Sequence, residues 1–155
     1  MTDVSWPIVL SWGITILGWI IVNHRADRRS DAGEVFQMLS SAESLIEEIT
    51  ASGKQIWSMD GKDNEGQKII LDVNSKFSRL GNRLTALAQR DGRFDLHSDF
   101  INFKKVVTGQ NAESRKRNAL PYSDKKFTEI DEAAETLATV LHSTYNEAFN
   151  RGRLW

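Results

Sequence analysis

IILDVNSKFSRLGNRLTAL (residues 69–87) decides the fold class. Within it Ile70, Val73, Phe77, Leu80, Leu84 and Leu87 alternate spacings of three and four without a miss. That period places six apolar side chains on one stripe of an α-helix and on neither face of a strand. Asp60-Gly61-Lys62-Asp63-Asn64-Glu65-Gly66 forms a turn before this helix, and Asp91-Gly92 ends it.

The same period recurs on both sides. In residues 30–59, Val35, Met38, Leu39, Ala42, Leu45, Ile46, Ile49 and Ile56 line one face. Ser30 or Asp31 is the candidate cap, with Glu34 able to reach back to Asp31. Alternatively the helix continues from the segment before it, because no proline or glycine pair interrupts 23–32. A shorter helix is expected over 98–108, capped by Ser98 or Asp99, with Phe100, Phe103, Val106 and Val107 as its apolar face and Gly109 as its stop. The stretch GQNAESRKRNALPYS (109–123) has no period and reads as a surface loop. Ser123 or Asp124 then caps a last helix running to about Asn150, with Phe127, Ile130, Ala134, Leu137, Leu141 and Phe149 facing inward. With 10 Gly and 2 Pro in 155 residues, little breaks these helices. Three long amphipathic helices and one short one bury their stripes most economically as an antiparallel bundle, so the chain is expected to be all-α.

The N-terminal segment differs in kind. WPIVLSWGITILGWIIV (residues 6–22) has no charged residue and spans ~25 Å as a helix at ~1.5 Å per residue. This is inside the range for a membrane-crossing helix. Trp6 and Trp19 stand where interfacial aromatics stand, and Pro7 falls in the first turn, where its missing N–H costs little. A secretory leader would need a basic start and a small-residue cleavage site, but the flanks read Met-Thr-Asp and Asn-His-Arg. A buried core helix would carry polar positions at helical spacing. Arg25, Arg28 and Arg29 follow the segment and no Lys or Arg precedes it, so the positive-inside rule sets residues 24–155 in the cytoplasm and the N-tail outside. The expected division is therefore an anchor over 1–29, with its span at 6–22 and an arginine collar, and a cytoplasmic bundle over 30–155 at the inner (plasma) membrane. Ser11, Thr15 and Gly18 share one stripe of the anchor, where small and hydroxylated residues let helices approach and hydrogen-bond.

Charge and motifs exclude more than they assign. The formal charge is −1, and residues 30–155 carry 17 Lys and Arg against 19 Asp and Glu, so no global field attracts nucleic acid. Direct nucleic-acid binding is not expected. Without cysteine there is no disulfide, thiolate metal site or cysteine nucleophile. His24, His97 and His142 share no metal-ligand spacing, and no phosphate-cradling or hydrolase motif occurs. Glu43, Glu47 and Glu48, and Glu129, Asp131, Glu132 and Glu135, lack the Glu-x-x-His partner of di-metal bundles and read as solvated faces. No cofactor and no reaction are expected. Lys104-Lys105, Arg115-Lys116-Arg117 and Lys125-Lys126 are basic runs; Arg115, Lys116 and Arg117 are candidate contacts for a partner or lipid headgroups. Trp155 is a further candidate contact for the bundle or a partner, since an indole is costly to leave in water.

In layout, the run WIIVNHRADRR (residues 19–29) followed by a helical domain resembles small single-pass proteins encoded by bacterial prophages and mobile defence islands. The resemblance implies a role in phage defence, exclusion or abortive infection: a partner restrains the spanning helix, and release lets helices assemble and perturb the membrane. The partners expected on this reading are the lipid bilayer and a protein or a second copy of the chain. A passive scaffold that recruits a cytoplasmic protein is the alternative, and an enzyme with an unfamiliar site is the third reading.

Overall fold

A computed structural model of the chain describes the backbone of residues 6–109 and 111–149 and the side chains of 32–109 and 111–149. Among these residues the regular structure comprises α1 (Trp6–Ser58), α2 (Asn64–Arg90), a 3₁₀ turn (Gly92–Phe94), α3 (His97–Thr108) and α4 (Lys125–Phe149). There is no strand among the described residues, and the fold is all-α. The chain divides into two compact units, Met1–Phe36 and Gln37–Trp155.

In the first unit the described feature is the N-terminal part of α1. The backbone is helical through Ser30 and Asp31, so neither starts a helix. No proline or glycine pair breaks 23–32, and the second of the two expected courses, a helix continuing from the preceding segment, is the one observed. The expected span at 6–22 falls on residues whose side chains are not described. Among the described residues no helix is long and apolar enough to cross a membrane.

The second unit is a helical bundle whose helix directions follow from its contacts. Glu43 on α1 pairs with His142 on α4, and Lys54 on α1 with Asp131 on α4 at 2.6 Å. Partner numbers fall on α4 as they rise on α1, so the two run antiparallel. The short connection to α2 turns the chain back, and Lys76 of α2 meets Glu48 (3.4 Å) and Ser52 of α1. Asp72, at 2.8 Å, and Glu48 hold the Lys76 ammonium above its ordinary pKa. Phe77 of α2 packs edge-on against Phe103 (centroids 5.6 Å) and Phe100 (6.1 Å) of α3.

All six stripe residues of α2 are buried, with Leu80 and Leu87 at 0% exposure. Leu39, Ile49 and Ile56 of α1, Phe103 and Val107 of α3, and Ile130, Leu137 and Leu141 of α4 are equally shielded and supply the other helices' share of the core. Burial at ~1.5–3 kcal/mol per large apolar side chain is the term that opposes chain entropy here. Asp63 caps α2 by accepting from Glu65 N (2.9 Å). Asp124, one of the two expected caps, serves α4 by accepting from Lys126 N (2.9 Å).

Two expectations change. The cap residue of α3 is Leu96, without a side-chain bond, in place of Ser98 or Asp99. Leu96 is buried and its N–H already bonds Phe94 O (2.9 Å), so the 3₁₀ turn feeds directly into the helix and leaves Ser98 and Asp99 inside its first turn. Residues 109–123 are also not simply a surface loop, because Ala112 and Arg117 are buried. Leu120 N bonds Trp57 O (2.8 Å), which ties the segment to the end of α1.

Candidate functional site

The most elaborated chemistry lies where the turn after α1 meets the segment 111–119. Trp57, in the last turn of α1, is 8% exposed, and its Nε1–H donates to Val107 O at 2.8 Å. A buried indole N–H needs such an acceptor. The Arg117 guanidinium lies 5.4 Å and the Lys126 ammonium 5.0 Å from the Trp57 ring centroid, both at cation–π distance. Gly109, at φ 56°, passes so close to this ring that a Cβ there would stand 2.9 Å from it.

Arg117 organises the junction. Its Nη2 donates to Ile56 O (2.7 Å) and Met59 O (3.0 Å), and its Nη1 donates to Ala112 O. Ile56 is in the last turn of α1 and Met59 just past it; Ile56 O also accepts from Met59 N at 3.4 Å, and the Arg117 fork adds a charged donor to both carbonyls at the helix end. Burial holds the Arg117 pKa below the usual arginine value, with Asp60 acting through space in the opposite sense. Arg117 Nε is buried and has no hydrogen-bond partner.

The backbone completes the lock. Gly61 N donates to Arg117 O (2.8 Å), and Ala119 N donates to Asp60 Oδ1 (2.9 Å). A Cβ at Gly61 would collide with Ser114 O, so only glycine lets the two segments come this close. The result is a polar cavity of about 240 Å³ lined by Asp60, Lys62, Arg115, Lys116, Arg117 and Asn118.

Two further concavities are more apolar. A groove of about 430 Å³ between α1 and α4 has small side chains at Ala51, Ala134 and Ala138, with Glu47, Lys54 and Glu135 beside them. A cavity of about 590 Å³ lies among α2, the 3₁₀ turn and the start of α3, walled by Leu84, Phe94, Leu96 and Phe100, with Asp95 and His97 among its polar residues.

The candidates named from the sequence separate into different roles. Arg115 and Lys116 are exposed beside one another, as an external contact requires. Arg117 departs from that set: it is 9% exposed and its fork is committed to three carbonyls of its own chain. Lys62 stands in no basic run and is not singled out by the sequence, yet it comes from the turn before α2 to line the same cavity as Arg115 and Lys116. The signal that points to it is its neighbour Gly61, because close approach of another segment is one standard reason for glycine in a polar turn.

The carboxylates are dispersed into separate contacts: Glu43 with His142, Glu48 with Lys76, Glu129 with Lys125 and Asp131 with Lys54. Among the described residues no group of three or more His, Asp or Glu is placed to hold a metal ion. Trp6, Ser11, Thr15, Gly18, Trp19, Arg25, Arg28, Arg29 and Trp155 lie outside the residues whose side chains are described. Comparison with protein family models, with curated proteins and with solved structures finds no match.

Proposed function

We propose that the chain is a single-pass inner-membrane protein whose cytoplasmic helical bundle acts as a partner-controlled interaction or effector module. The observation that carries this reading is the uncharged run 6–22 followed at once by Arg25, Arg28 and Arg29. Seventeen uncharged residues favour hydrocarbon, and the arginines favour the anionic cytoplasmic face by ~1 kcal/mol each near the surface. Ser11, Thr15 and Gly18 provide the face through which two anchors pair. The bundle supplies a folded body for a protein partner, and the layout resemblance extends the proposal to phage defence by membrane perturbation.

Two measurements test it. The full chain should stay in the pellet after alkaline and high-salt washes of cell membranes and enter solution only with detergent. Recovery in the supernatant without detergent overturns the anchor. Expression should depolarise cells, and Thr15→Arg should abolish this without lowering the amount of protein. Depolarisation that survives Thr15→Arg removes the stripe from the mechanism.

A further inference from the structure

The polar cavity at the junction of the two loops has a composition that the interaction reading does not use. Four of its six lining residues are cationic (Lys62, Arg115, Lys116 and Arg117) and one, Asp60, is a carboxylate. Asp60 already accepts from Ala119 N, so one of its oxygens is engaged with backbone. Lys62, Arg115 and Lys116 are exposed, whereas Arg117 is buried with an Nε that has no partner. The backbone imposes this convergence: Gly61 N donates to Arg117 O at 2.8 Å, and Gly61 passes close to Ser114. An anion between the two loops would meet cations from both of them.

We propose that this cavity binds a phosphate group, with Lys62, Arg115 and Lys116 contacting its oxygens and Arg117 supplying fixed positive charge behind them. The size is suitable. At about 240 Å³ and partly open to solvent, the concavity has room for one tetrahedral oxyanion with part of its hydration shell. Asn118, at the same wall, adds a neutral donor. Three ammonium or guanidinium groups around one phosphate give charge-assisted hydrogen bonds, which are about twice as strong as neutral ones. The phosphate can belong to a free phosphomonoester or to a lipid headgroup, and the chemistry of the site is the same for both.

The test is equilibrium dialysis of radiolabelled inorganic phosphate against the purified full chain in nonionic detergent. Saturable binding is expected, weakened about tenfold or more in Arg115→Glu/Lys116→Glu and weakened also in Lys62→Glu, because reversing a charge near a dianion costs on this scale even after screening. Arg79→Glu, on the exposed side of α2, should bind as the unsubstituted chain does. Circular dichroism of each variant establishes that it is folded; the three substituted cations are exposed, so the fold should survive. Displacement at lower concentration by phosphatidic acid doped into the micelles than by glycerol phosphate assigns the headgroup as source, and the reverse order assigns the free phosphomonoester. Absence of saturable binding overturns the proposal, as does binding that is unchanged in folded Arg115→Glu/Lys116→Glu.

Discussion

Replacing Arg117 with methionine keeps much of the side-chain volume and removes the fork that joins α1 to the segment 111–119. Three donated bonds are lost, to Ile56 O, Met59 O and Ala112 O. At about 1.5–3 kcal/mol for a bond with a charged partner, the gross loss is roughly 4–9 kcal/mol. Removing the guanidinium also removes the cost of burying it, which is several kcal/mol, and the methionine still packs against the Trp57 ring. The expected net loss is about 2–4 kcal/mol. For a bundle of this size, between the small and mid-sized domain ranges, that lowers the Tm by roughly 8–16 °C. Thermal unfolding of the full chain, followed by far-ultraviolet circular dichroism, measures it. Arg117→Lys should lose a similar amount, because an ammonium on a flexible stem does not reach three carbonyls in the geometry of a planar fork. A drop below about 3 °C for the methionine variant, or a lysine variant as stable as the original chain, would refute the assignment of Arg117 as the organising residue.

Gly61→Ala should destabilise by about 1–3 kcal/mol or more, since its Cβ would collide with the backbone oxygen of Ser114, and chemical denaturation should show a lower midpoint. Trp57→Phe deletes the donor to Val107 O and should cost about 1–3 kcal/mol, read by thermal unfolding, with that carbonyl left without its indole partner. The Arg93 guanidinium and backbone N–H beside Asp91 hold its carboxyl below the ordinary carboxylate range. A folded-state pKa that is depressed contributes stability above the unfolded pKa, and this is lost as pH falls through the folded one. Unfolding measured from about pH 5 downward should therefore show an acid-side loss that is smaller in Asp91→Asn.

The helices are legible in the sequence because their evidence is local. Six residues of α2 at spacings of three and four carry the pattern from Ile70 to Leu87, and all six are buried. The junction is not legible, because its partners are distant along the chain. Arg117 takes its meaning from Ile56 and Met59, and Gly61 from Ser114, so the run Arg115-Lys116-Arg117 reads as three equivalent exposed cations until the chain is folded. Trp57 escapes a periodic reading for a related reason: it sits beside Ile56, off the regular stripe, and its surroundings are Val107, Arg117 and Lys126. The cap of α3 is misjudged from sequence because Ser98 and Asp99 have the right chemistry, while the 3₁₀ turn ahead of them starts the helix earlier, after Leu96.

The division of roles within the basic run follows from the same geometry. Arg117 is buried and gives three of its N–H donors to carbonyls of its own chain, so it holds the loop, while Arg115 and Lys116 face outward. Because the loop backbone is tied down, the outward pair projects from a fixed position on the wall of the cavity that Lys62 also lines. Pre-ordered cations bind an anion with less entropy loss than mobile ones, which makes the structural and binding predictions separable. Weakening the fork with Arg117→Lys should reduce phosphate affinity while Arg115 and Lys116 remain intact. Charge reversal at Arg115 and Lys116 should reduce affinity at least as far while the melting temperature stays close to its original value. If both variants moved stability and affinity together, the cavity would be a by-product of loop packing and not a site built on it.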